Sequence, residues 1–116
     1  MNTYKGACHC KAVTYEVDTN LEKVISCNCS HCYIKGLVLS FVSTDQFKLS
    51  SSEGNLTEYL FNKKKIHHLF CNICGVESFA RGVGPNGEEM IAINVRCLDG
   101  VDLDQIEITK VDGKKY

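Results

Sequence analysis

Seven of the eight cysteines fall into three tight groups, Cys8-x-Cys10, Cys27-x-Cys29-x2-Cys32 and Cys71-x2-Cys74, and only Cys97 stands alone. Thiols one or two residues apart leave a tight turn side by side, so each group can bring two or three sulfurs to one point. Zinc takes four ligands when its role is structural, and three protein ligands plus one exchangeable position when its role is chemical. The groups divide accordingly into a set of four and a set of three.

A chain of 116 residues is a single domain by length, residues 1–116, and a globule of that size buries only about two-thirds of the surface its unfolded form exposes. A metal staple therefore has structural value. Hydrophobic content of 44%, charged content of 23% and a formal net charge of -1 argue against a disordered tail or a nucleic-acid-coating protein. No basic flank leads into an apolar run of signal-peptide length, and no stretch approaches the roughly 20 apolar residues of a membrane helix. The expectation is a cytoplasmic protein, or a nuclear one, with no nucleic-acid and no membrane partner. In such a reducing compartment, closely spaced cysteines serve metals more often than disulfides.

Val13, Tyr15 and Val17 alternate with Thr14, Glu16 and Asp18, the period of a half-buried strand. Val24 to Cys27, Leu37 to Val42, Leu56 to Phe61, Ile66 to Phe70, Val76 to Ala80, Met90 to Val95 and Ile106 to Val111 are short, β-branched or aromatic, and separated by turn-forming residues. About eight short strands predict an all-β domain. Helical signals are confined to single turns capped at Ser30, at Thr44 or Asp45, and at Asp102. Gly84-Pro85-Asn86-Gly87 reads as a hairpin loop.

Cys8, Cys10, Cys71 and Cys74 are the expected structural zinc ligands. Gly75 follows Cys74 where such a knuckle commonly needs positive φ, and Gly6 is a candidate for the same role before Cys8. Closing a loop of roughly 60 residues between the pairs costs about 3.6 kcal/mol plus a constant, against roughly 10–16 kcal/mol from structural zinc in small peptides. Cys27, Cys29 and Cys32 can wrap a second zinc on three sides and leave the fourth open. Three thiolates make that zinc a poor activator of water but a good partner for an incoming thiol. The alternative is a second closed staple, with His31, Cys97 or a nearby histidine as fourth ligand.

Other residues carry weaker signals. Lys35 follows the three-cysteine loop, where it could guide an acidic substrate, offset the anionic cluster or be a solvated charge. Arg96 suits a substrate carboxylate, or an ion pair with Glu77 or Asp99. Cys97 either faces the open metal or fills the core. Of His67 and His68, neighbours on one strand, one faces inward and could donate to a zinc thiolate. Lys63-Lys64-Lys65 reads as a charged turn.

Taken together, G-A-C-H-C-K-A-V from Gly6, C-N-C-S-H-C-Y-I-K-G from Cys27, F-C-N-I-C-G from Phe70 and N-V-R-C-L-D from Asn94 resemble the glutathione-dependent formaldehyde-activating enzymes and the related centromere protein V group. The resemblance implies a β-tent of antiparallel sheets stapled by zinc, with two zinc ions per chain held by the two cysteine sets. It implies an enzyme of the carbon–sulfur lyase type that joins formaldehyde to glutathione, giving S-hydroxymethylglutathione. On that reading Cys27, Cys29 and Cys32 hold the reactive zinc, and Lys35 and Arg96 are candidate glutathione contacts. Two other readings stand beside it: a non-enzymatic zinc-binding interaction or glutathione-carrier module, and a methionine sulfoxide reductase using Cys97. Another small thiol or a related aldehyde would serve the same chemistry.

Overall fold

The structure is a computed structural model that describes residues 2–51, 53–60, 66–84 and 86–112. The lysine run and Phe61 lie outside the described residues.

Period-two alternation sets the layers. In β2 (Thr14–Thr19), Tyr15, Val17 and Thr19 are buried while Glu16 and Asp18 are exposed. It is the centre of a small sheet, flanked by antiparallel β1 (Asn2–Ala7) and β5 (Phe47–Leu49). A larger sheet runs in the order β10 (Ile108–Val111), β3 (Val24–Cys27), β4 (Val38–Ser43), β9 (Glu89–Asn94), β8 (Phe79–Val83), β7 (His67–Cys71) and β6 (Leu56–Tyr59). All its pairs are antiparallel except β10 with β3.

The two sheets close on one another through Val13, Tyr15 and Val17 on one side and Val24, Val38, Val42, Phe79, Ile91 and Ile93 on the other. Full burial of such side chains stabilises by roughly 1.5–3 kcal/mol each. Tyr15, Phe47 and Phe79 meet as a three-ring cluster with centroids 4.7–5.9 Å apart, which locks the small sheet onto the large one.

Alternation also gives the large sheet a second face. Leu39 and Ala92, one residue out of phase with Val38 and Ile91, pack with Cys32, Leu37, Ile25, Cys27 and Cys29. That face is covered by the loop after β3 and by its six-residue helix α1 (Ser30–Lys35). His68 is buried in β7 between the core-side Leu69 and the half-exposed His67, so it turns toward the same face.

The all-β expectation holds, with two strands added and several strand ends moved. β1 was invisible because most of its side chains are exposed and its backbone pairing with β2 holds it. β5 is three residues long. The strand expected from Val76 starts at Phe79, because the carbonyls of Val76 and Ser78 accept from Cys71 N and Asn94 N instead. That expected from Ile106 starts at Ile108, after a 3-10 turn (Leu103–Gln105) capped by Asp102. The hairpin at Gly84 is present, joining β8 to β9 with Gly84 N on Glu88 O. The parallel β10–β3 pair departs from purely antiparallel sheets.

Candidate metal centres

Cys8 and Cys10 sit on the turn between β1 and β2, and Cys71 and Cys74 on the turn that leaves β7. One ligand atom from each lies within 4.8 Å of all the others. Cys10 Sγ is 3.7 Å from Cys8 Sγ and 3.6 Å from Cys71 Sγ. A tetrahedron of sulfurs with metal–sulfur bonds of about 2.3 Å has edges of about 3.8 Å, so the set fits zinc. The backbone prepares it: Val13 N donates to Cys8 Sγ, and Ile73 N and Cys74 N donate to Cys71 Sγ.

Gly75 has φ +81° and its amide closes the turn on Cys71 O at 2.8 Å, the left-handed position anticipated for it. Gly6 does not play that part. The positive φ of the first knuckle belongs to Lys11, at 66°, and Gly6 is required because a Cβ there would overlap the ring of Tyr15.

Cys27 ends β3, Cys29 precedes α1 and Cys32 lies in its first turn, again with ligand atoms within 4.8 Å of one another. The helix is capped by the sulfur of Cys29, which accepts from Cys32 N, not by Ser30 as expected. A thiol placed to bind metal thus also starts the helix. Cys27 Sγ accepts from Cys29 N, and Cys32 is buried against Leu37 and Leu39. Among the described residues no fourth Cys, His, Asp or Glu joins this group.

The two residues proposed as a fourth ligand are turned elsewhere. His31 joins His68 and Glu77 in a third, fully buried group. His31 Nε2 lies 3.4 Å from Glu77 Oε1, His68 Nδ1 lies 2.9 Å from Oε2, and Lys35 Nζ donates to Oε1 at 2.9 Å. Cys97 belongs to none of the three groups, and burial pushes its thiol up, with Cys8, Cys74 and Glu77 adding to the rise.

Within each thiol group the sulfurs shift one another's ionisation. Burial opposes ionisation of Cys74, but the amides of Cys10 and Val76 and the thiols of Cys8 and Cys71 outweigh it and bring its pKa down to about 6. Cys10 receives the amide of Ala12, yet burial and the neighbouring thiols push it up to about 11. In the other group burial opposes ionisation of Cys29, the amides of Cys32 and His31 and the adjacent thiols lower it all the same, and burial together with Cys29 and Cys27 raises Cys32. The amides of Cys74 and Ile73 lower Cys71 as well, so within each group some thiols ionise at the expense of their neighbours, and a divalent cation would favour the thiolate form of all of them.

Of the tentative substrate contacts, Lys35 is held by Glu77 and lies over the ring of Phe70 at 5.2 Å. Arg96 pairs with neither Glu77 nor Asp99 as suggested; its Nε donates to Gly36 O at 2.9 Å, at the end of α1. Burial lowers His31, helped by His68 and Lys35. Burial favours a neutral Glu77, but His68 and Lys35 prevail and its pKa is lowered. Of the two neighbouring histidines, His68 is the inward one, a core histidine satisfied by Glu77 and not a donor to a zinc thiolate; His67 pairs with Glu58 at 3.1 Å. Glu77 is the residue the sequence reading undervalued. Its signal was a lone carboxylate in V-E-S-F-A, flanked by residues that all fold inward.

A solved crystal structure of a Rhodobacter sphaeroides protein is similar over 92% of this chain and 99% of its own length, with 29% identity and a TM-score of 0.81. The family described as "Glutathione-dependent formaldehyde-activating enzyme" matches residues 3–110, a span that includes all eight cysteines. The chain belongs to the glutathione-dependent formaldehyde-activating enzyme family.

Proposed function

We propose that the centre formed by Cys27, Cys29 and Cys32 accepts the thiol of glutathione and promotes its addition to formaldehyde, a zinc-dependent reaction of the carbon–sulfur lyase type giving S-hydroxymethylglutathione. The family match supports glutathione and formaldehyde as the substrate pair. The single observation that carries the assignment to this loop is its three-donor count, with His31 committed to Glu77 and Cys97 outside the group.

The reaction forms one carbon–sulfur bond. The sulfur lone pair attacks the carbonyl carbon, the carbonyl π pair moves to oxygen, and the proton lost by the thiol ends on that oxygen. Zinc on the three thiolates would supply positive charge beside the incoming sulfur and lower its pKa. The chain's own part is to hold that position open. Cys29 is fixed by the helix it caps, Cys32 by burial, and Cys27 by its strand. Arg96, hung on the carbonyl of Gly36, is our candidate for a glutathione carboxylate. Formaldehyde reacts with thiols unaided, so bringing the partners together supplies much of the benefit.

The test is the rate of hemithioacetal formation followed by exchange NMR with zinc-loaded protein. A rate above the spontaneous one, lost in Cys29→Ser, supports the proposal; no excess rate refutes it. A second reading, a binding module, has one observation in its favour: Tyr33, Ile34 and Ile73 are large, apolar and more than two-thirds exposed, at 78%, 84% and 68%. Catalytically silent protein with two ions equally inert to added thiol would favour it.

A further inference from the structure

His31, His68 and Glu77 are unlike an ordinary surface ion pair. All three are buried, with side-chain exposures of 6%, 6% and 2%, and both imidazoles turn toward the same carboxylate. The elements that deliver them differ: α1 for His31, β7 for His68, and the segment between the second knuckle and β8 for Glu77. We infer that His31, His68 and Glu77 form a third metal site, separate from both thiol groups, for a divalent first-row cation.

The donor chemistry is that of a two-histidine, one-carboxylate set, which suits zinc, cobalt(II) or iron(II) and leaves a coordination position open. The spacing agrees. Nitrogen and oxygen donors about 2.0–2.1 Å from a tetrahedral ion stand about 3.4 Å apart, and His31 Nε2 is 3.4 Å from Glu77 Oε1. One ligand atom from each residue lies within 4.8 Å of the other two, so modest closing motions suffice. The rings, 3.8 Å apart and tilted by 35°, must open slightly for their in-plane lone pairs to converge. His68 frees Nδ1 by carrying its proton on Nε2, so the tautomer changes while the proton count does not.

Lys35 is the group a cation must displace. Its Nζ is 2.9 Å from Glu77 Oε1, yet its side chain is 31% exposed, so it can swing outward while the carboxylate stays. His31 and Lys35 line one cleft of about 510 Å³ with Ile34, Tyr59 and Phe70. Of the three ligands only His31 lines that cleft, so an ion reaches Glu77 and His68 from it as Lys35 swings outward. The set shares no residue with Cys27, Cys29 and Cys32, so occupancy there does not require the three-cysteine centre to be vacated.

Cobalt(II) titration of the full chain loaded with two equivalents of zinc, enough to fill the two thiol groups alone, tests the site, since cobalt on imidazole and carboxylate shows d–d bands without the sulfur-to-cobalt charge-transfer band that thiolates give. We expect one equivalent of cobalt bound without that band. Glu77→Gln should weaken it at least tenfold and Lys35→Gln should tighten it about tenfold, circular dichroism reporting that both variants are folded. No such equivalent in the wild-type chain overturns the site, as does one that Glu77→Gln leaves unchanged. An equivalent seen only in Lys35→Gln also overturns it, because the ammonium is then the permanent partner of Glu77. Should Glu77→Gln fail to fold, His68→Gln replaces it with the same expected loss.

Discussion

Glu77 Oε2 lies 2.9 Å from His68 Nδ1, so the segment leaving the second cysteine knuckle is bonded back to the strand that enters it. The same carboxylate takes Lys35 from the helix of the three-cysteine loop. One buried charge thereby links the element carrying Cys71 and Cys74 to the element carrying Cys29 and Cys32.

Removing that charge loosens both. Glu77→Ala leaves His68 and Lys35 without their acceptor, and a loss of about 1–3 kcal/mol follows from buried donors stripped of a charged partner. Urea denaturation of the zinc-loaded protein measures it. A midpoint equal to that of the unchanged chain contradicts the linking role.

Acid should act through the same group. Burial lowers the pKa of His31 from its ordinary 6.5, and His68 and Lys35 overcome burial to lower that of Glu77 from 4.5. In both cases the folded state binds its proton less readily than the unfolded chain. The stability each group contributes is therefore complete above its ordinary value and is lost as pH falls through the lowered one. His31→Gln should flatten the upper part of the acid limb, just below pH 6.5, and leave the Glu77 part in place. Superimposable acid limbs would refute the His31 assignment.

Much of this centre was legible in the sequence. The partition of seven cysteines into four and three follows from coordination number and spacing, and the left-handed Gly75 from knuckle geometry. Period two found Val13, Tyr15 and Val17 as core. The rest depended on tertiary neighbours. Nothing local says that His31 will meet a glutamate 46 positions away, or that Cys97 will stay outside the three-cysteine group. Edge strand β1 carries no hydrophobic signature because its stability lies in backbone pairing.

Gly6 gives a test of packing independent of metal. Its missing side chain makes room for the ring of Tyr15, whose hydroxyl donates to Ser78 O at 3.3 Å. Gly6→Ala should cost about 1–3 kcal/mol through overpacking, read as a fall in Tm. Tyr15→Leu should relieve the clash, so that the double variant loses less than the two single losses summed; strict additivity would contradict the contact.

The two cysteine sets should fail differently. Cys71→Ser removes a ligand that clips β7 to the first hairpin, and the cooperative unfolding transition should shift strongly or vanish. Cys29→Ser affects one loop and should leave the fold intact while thiol binding is lost. Calorimetry of the two zinc-loaded variants separates the roles, and equal transitions would argue against the division.

The central claim is the open position on the three-cysteine loop. Zinc-edge X-ray absorption of the chain loaded with two equivalents of zinc, recorded before and after glutathione, measures it directly. Each chain should begin with seven zinc–sulfur bonds shared between two ions, one ion also carrying an oxygen or nitrogen donor, and should reach eight when the glutathione sulfur replaces that donor. Eight sulfur bonds before any thiol is added, or seven that glutathione leaves unchanged, would contradict the account.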